Sequence, residues 1–156
     1  MSLKEVQKYF KSYSREEDVI VLEESSATVP LAAKALDVDS GRIAKTIAVW
    51  ANNKPILLVV AGDHKLNHSK FKKEFKSKIN MLKLKEVKEI TGHPVGGVCP
   101  FGNNNGLPIY LDISLKAYDT VFPACGSDNS MIELTPMELG KYSHFEKWVD
   151  VSIESH

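Results

Sequence analysis

The sequence predicts an α+β domain, a mixed β-sheet flanked by helices. Three observations carry that prediction. Helical and strand-like patterns intermix along 156 residues without the strict strand–helix repetition of a parallel α/β fold. A continuous apolar run, Pro55 to Ala61, follows an Asn52-Asn53 turn and reads as a central strand buried on both faces. Apolar residues make up 43% and charged residues 26%, an ordinary globular balance that suits a single domain over 1–156 with one core.

The elements follow in order. Ser2-Leu3-Lys4-Glu5 has the form of a capping box, and Val6, Tyr9, Phe10 and Tyr13 give the helix after it one apolar face. Val19 to Leu22 is a short strand. After a polar turn from Glu23 to Thr28, Pro30 sits in the first turn of an alanine-rich helix ending near Leu36. Strands from Ile43 to Trp50 and from Pro55 to Ala61 form a hairpin. Leu66 to Phe75 reads as a lysine-rich helix anchored by Phe71 and Phe75, and Lys85 to Ile90 as a second, shorter one. Strands are expected at Pro108–Asp112, Val121–Ala124 and Met131–Leu134. Thr135-Pro136-Met137-Glu138 is another capping box with Pro at the first helical position, and Trp148 to Ile153 alternates like an edge strand.

Composition excludes several classes. The formal net charge is zero, which argues against a nucleic-acid binder held by bulk charge. The distribution is uneven, however: nine lysines lie between Lys65 and Lys88, against Glu74 and Glu86 alone. That stretch is either a solvated face or a phosphate-facing surface. Cys99 and Cys125 form no C-x-x-C and fit a reducing compartment. No run approaches the roughly 20 apolar residues that span a bilayer, and no signal pattern opens the chain, so the cytoplasm is expected.

The segment from Gly92 to Gly102 packs four glycines and two prolines among apolar side chains. A linker would be polar and a strand would not tolerate so many glycines, so a rigid, partly buried loop remains. Gly96 and Gly97 can offer N–H groups to a carbonyl or a developing oxyanion. Lys45 shares a strand face with Ile43, Ile47 and Val49; if that face is interior, its ammonium must meet an anion or lose its charge. His64 and His68 are one helical turn apart but lack a third ligand and the general base of H-E-x-x-H, so no metal is expected. Cys99 with His93 could form a nucleophile and base, though a cysteine in an apolar loop is more often a small hydrophobe, and no lysine or arginine sits beside it in sequence to lower its pKa. No phosphate loop, dinucleotide fingerprint or G-x-S-x-G is present, and no cofactor is expected.

Three blocks together, Arg42 to Ile47, Thr91 to Pro100 and Ala124-Cys125-Gly126, resemble the YbaK family and the related editing domain inserted in bacterial prolyl-tRNA synthetases. The match runs over nearly the whole chain. The resemblance implies a free-standing deacylase of mischarged aminoacyl-tRNA, removing a small amino acid such as alanine, cysteine, serine or threonine from a proline-type tRNA, with prolyl-tRNA synthetase as a possible partner. By the same resemblance Lys45, followed by Thr46, orients the terminal adenosine and aminoacyl ester. Gly96, Gly97, Val98, Cys99 and Pro100 form the Gly-x-x-x-Pro loop that holds the carbonyl, with Gly126 close by. A hydroxyl of the terminal ribose, rather than a protein nucleophile, activates water. Position 99 is Cys where many relatives have Ser. Thr28, Pro30 and Leu31 are candidates for the amino-acid pocket wall, and Lys70, Lys72, Lys73 and Lys76 for the acceptor-stem contact.

Overall fold

The computed structural model describes residues 3–102 and 104–155. The expected cap at Ser2 lies outside them. Helix α1 (Leu3–Lys11) buries Val6 and Phe10. The Phe10 ring meets the rings of Phe101 and Tyr142 edge-on at 4.8 and 5.4 Å, which fixes the helix on the core. After the short strand β1 (Val19–Val21), helix α2 (Val29–Leu36) is capped by Thr28, whose hydroxyl accepts from the Leu31 N–H at 3.3 Å.

The centre is the hairpin of β2 (Ile43–Ala51) and β3 (Lys54–Ala61), antiparallel over eight registered pairs. Asn52 and Asn53 both have positive φ (53° and 64°), the backbone a tight two-residue hairpin turn demands and that asparagine tolerates better than most residues. The apolar run of β3 divides by alternation. Leu57, Val59 and Ala61 enter the largest core cluster, whereas Ile56, Leu58 and Val60 enter a second one on the other face. A strand buried on both faces has no polar side to show, hence the unbroken run.

The order of the main sheet is β5-β2-β3-β6-β9, with β5 (Asn80–Met81), β6 (Ile109–Asp112) and β9 (Lys147–Val149). β6 runs parallel to both β3 and β9. β7 (Phe122–Pro123) joins β2 in parallel at Ile43 and Ala44. Against the sheet pack α1, α3 (His68–Phe75), α4 (Leu84–Thr91) and α5 (Pro136–Ser143); α5 carries the expected capping box, with Thr135 and Glu138 each accepting from the other's N–H. β8 (Ser130–Ile132) pairs with β1.

Three short elements depart from the sequence expectation. Leu66 does not begin a helix: it ends β4 (His64–Leu66), and Asn67 caps α3 by accepting from Lys70 N–H at 2.9 Å. The two-residue β5 had no periodicity to reveal it. The tail is two strands, β9 and β10 (Ser152–Glu154), in different sheets, β10 pairing with β4. The break between them is held by buried Asp112, whose carboxylate accepts from Val151 N–H at 2.8 Å and from the Ser152 hydroxyl at 2.6 Å. Among the described residues no helix is long and apolar enough to cross a membrane.

Candidate functional site

A cavity of about 210 Å³ opens where β2 begins. Its apolar wall comes from Val29 and Ala32 of α2, Ile43, Phe122 and Met131. Its polar lining residues are Ser26, Lys45, Thr46 and Ser130, and Gly96 and Val98 of the glycine loop complete it.

Lys45 is half-buried. Its ammonium donates to the His64 carbonyl at the start of β4. Burial pulls its pKa below the ordinary value, opposed by the negative charge of Asp63. Asp63 is itself held as an anion. Burial alone would raise its pKa, but contact with His64 Nδ1 at 2.8 Å and donation from the Tyr118 hydroxyl at 3.1 Å prevail and lower it. Lys45 therefore sits between a fixed carbonyl and a nearby carboxylate, a cation set into an apolar wall.

The two adjacent glycines have different tasks. Gly96 has φ +85°, lines the cavity and lies against Ala27, whose Cβ would be 3.2 Å from a Cβ added at 96. Gly97 does not have positive φ. A Cβ there would come within 2.9 Å of the Ser127 backbone and 3.0 Å of Gly126, so Gly97 permits two loops to touch. Its N–H donates to Pro94 O at 2.9 Å, closing a turn, and is not directed at a ligand. The expectation that both amides face a substrate carbonyl is thus corrected for Gly97. The amides of Gly96 and Val98 take no acceptor among the described residues. Gly126, with φ +92°, completes the opposing loop and does not line the cavity.

Cys99 and Pro100 are buried beneath the loop and away from the cavity. The Cys99 thiol is fully enclosed, 3.7 Å from His93 Nε2, and burial pushes its pKa up to about 12. A thiol so enclosed supplies no thiolate at neutral pH. Helix α2 does wall the cavity, but through Val29 and Ala32 in place of Thr28, Pro30 and Leu31. Thr28 is spent on the cap and Leu31 is 46% exposed. The spacing of Val29 and Ala32, three apart on a helix, was the available signal. Ser26 and Ser130 had none, because they lie far apart in sequence and meet only through the fold: Ser26 N–H donates to Asp128 O, two residues before Ser130.

The candidate tRNA-contacting lysines lie on and just after α3 and do not line the cavity. Lys70 is committed, its ammonium donating to Asp150 at 2.9 Å and to Ser152 O at 3.0 Å. Lys72, Lys73 and Lys76 are exposed. His64 and His68 do not share a helix face, since His64 is in β4 and His68 opens α3.

The family model of the aminoacyl-tRNA editing domain matches residues 23–142. YwhH of Bacillus subtilis, an uncharacterised protein, is 49% identical over 152 residues, 97% of each chain. EbsC of Enterococcus faecalis, whose name proposes a Cys-tRNA(Pro)/Cys-tRNA(Cys) deacylase, is 32% identical over 106 residues, 67% of this chain and 65% of that one. A proline–tRNA ligase of Solidesulfovibrio magneticus is 32% identical over 127 residues, covering 80% of this chain and 21% of the ligase. The crystal structure of a proposed trans-editing enzyme for prolyl-tRNA synthetase superposes with a TM-score of 0.85 at 28% identity, over 97% of this chain and 96% of that one. The chain belongs to the aminoacyl-tRNA editing domain family, and with it to the aminoacyl-tRNA deacylases.

Proposed function

We propose that this protein acts in trans, as a single editing domain in the cytoplasm, on tRNA of the proline type carrying a small wrong amino acid such as alanine, cysteine, serine or threonine. The observation that carries the proposal is the cavity itself. About 210 Å³, walled by Val29, Ala32, Ile43, Phe122 and Met131, accepts a small aminoacyl group and limits a large one. Similarity to a domain of proline–tRNA ligase supports the tRNA type and makes a prolyl-tRNA synthetase the natural partner.

The chemistry is the attack of water on the aminoacyl ester. Lys45 holds the ester end by charge, and the free amides of Gly96 and Val98 stabilise the charge developing on the carbonyl oxygen. No cysteine or histidine lines the cavity among the described residues. Ser130 is a lining residue, but its hydroxyl lies 2.6 Å from that of Ser127 with no base beside it among the described residues. The protein therefore brings position and electrostatics, and the terminal ribose hydroxyl activates the water.

The test is deacylation of a panel of tRNAs charged with proline, alanine, cysteine, serine or threonine. The expected result is multiple turnover on at least one small mischarged species, retained by Cys99→Ser, and none on the prolyl species. Binding without turnover across the panel would leave a sequestering module. Activity lost in Cys99→Ser would restore the thiol mechanism.

A further inference from the structure

The cavity lies on a stretch of β2 whose outer edge is open. β7 covers that edge at Ile43 and Ala44, and β5 covers it again at Val49 and Trp50. Between them Lys45, Thr46 and Ile47 have ladder partners on the β3 side alone. The Ala48 carbonyl points to the outer side, where it accepts from Leu82 N–H at 3.3 Å. Residues two apart on a strand present their N–H and C=O to the same edge. Thr46 therefore turns both groups into the gap, where no hydrogen bond takes them among the described residues. Its hydroxyl is in the same condition: Thr46 Oγ1 is buried and has no partner among the described residues.

A carbonyl and a buried hydroxyl side by side lack a donor, and leaving them so costs free energy. Thr46 is one of the residues that line the candidate site. On the reading of the site given above, the substrate brings one group rich in N–H donors, the α-amine of the aminoacyl ester. Its carbonyl and ester oxygens only accept. Among the described residues the cavity lining contains no carboxylate, so an amine entering it is received by neutral oxygens instead of an ion pair. Lys45, next in sequence, can only donate, and the hydroxyls of Ser26 and Ser130 are already bonded to Asp128 O and to Ser127, which leaves the Thr46 oxygens as the acceptors for the amine.

We propose that the open edge of β2 at Thr46 is the receptor for the free α-amine of the substrate, with the Thr46 carbonyl as first acceptor and Oγ1 as second. The site thereby distinguishes aminoacyl-tRNA from N-acylated forms, peptidyl-tRNA among them. N-acylation removes the charge, leaves the nitrogen one N–H where the ammonium has three, and places a bulky group against the strand. A site built around a hydrogen bond rejects a ligand that lacks it far more strongly than an apolar pocket rejects a methyl group.

The experiment compares each hydrolysed aminoacyl-tRNA with its N-acetylated form and with its α-hydroxyacyl form, every rate divided by the spontaneous hydrolysis of the same ester. N-acetylation, which leaves one donor and adds bulk, is expected to lower kcat/KM by about 100-fold or more, and the hydroxyacyl form, which has one donor and no added bulk, by about 10-fold. Thr46→Val, which removes the second acceptor and keeps the volume, is expected to narrow the gap between free and acetylated substrates. Hydrolysis of the acetylated form within about threefold of the free one would overturn the amine receptor while leaving the deacylase reading intact. Absence of turnover on every species would overturn that reading instead. The amine receptor is then decided by binding of a stable amide-linked 3′-aminoacylamino-adenosine, which acetylation should abolish and which, if indifferent to acetylation, refutes it.

Discussion

At the start of β2 one cation, Lys45, is half-buried among apolar walls, with a carbonyl and a carboxylate arranged around it. On α3 and just beyond it, Lys72, Lys73 and Lys76 stand in solvent. The residue type is the same and the physics is opposite. In the cavity the surroundings set the charge: its position is fixed, its proton is less tightly held and one neighbour sustains it. On α3 the charges are long, mobile and screened, and they act on a phosphate backbone through number. The cavity is therefore sensitive to single atoms, the lysine surface only to sums.

Lys45→Ala should have the largest effect. Among the described residues it removes the one cation that lines the cavity, and Lys45 belongs to none of the three core clusters. A loss of about 100- to 1,000-fold in single-turnover deacylation is expected, with a melting temperature close to that of the parent. A folded Lys45→Ala protein with near-parental turnover would break the comparison at its root.

Gly97→Val should be next, for a reason the sequence did not offer. The added Cβ would lie within 2.9 Å of Ser127 backbone atoms, which cannot rotate aside as a side chain would. Separating the two loops should cost about 1–3 kcal/mol of stability and widen the cavity mouth, so melting temperature and turnover fall together. Lys45→Ala lowers turnover alone. A Gly97→Val protein of unchanged stability would mean the loops do not meet as described.

How far these features were legible follows from what each depends on. The hairpin of β2 and β3 could be read because its signals are local: a turn of two asparagines and a run buried on both faces. The α5 cap could be read for the same reason. Strands β4 and β10, each of three residues, exist because they pair with one another across most of the chain, and three residues carry no period. Asp112 reads as an ordinary polar residue, and only the fold brings Val151 and Ser152 to it. In the site, Lys45 and Gly96 were visible as unusual residues in their patterns. The division between Gly96 and Gly97 was not, since what forbids a side chain at 97 is a loop some thirty positions onward.

A smaller, graded effect tests how the buried cation is sustained. The folded pKa of Lys45 lies below the ordinary 10.5, so catalysis that uses the ammonium should decline on the alkaline side at a midpoint below that value. The sign for stability is the reverse: the buried charge opposes folding below the folded pKa, and the penalty fades as pH rises toward the unfolded value. Asp63 supports the proton, so Asp63→Asn should move the alkaline limb to lower pH. Single-turnover rates corrected for spontaneous hydrolysis check this, and a limb unmoved in Asp63→Asn would remove Asp63 from the account.

The smallest expected effect on chemistry, and the sharpest probe of the contrast, comes from the lysine surface. Replacing Lys72, Lys73 and Lys76 with Ser should weaken tRNA binding, while single-turnover chemistry at saturating tRNA stays within about twofold. Each lysine that meets a phosphate releases counterions, so the dependence of log affinity on log salt should become shallower by roughly one for each phosphate left without its lysine. Lys70→Ser is the internal control. That ammonium is already held by Asp150 and Ser152, so its removal should loosen the junction of α3 with the C-terminal strands and leave the salt slope nearly unchanged. If Lys70→Ser flattens the slope as much as the triple variant does, its ion pair opens to receive phosphate, and the division between committed and free lysines is wrong. If the triple variant binds tRNA with parental affinity and slope, these charges only solvate α3, and the tRNA path crosses another face of the domain.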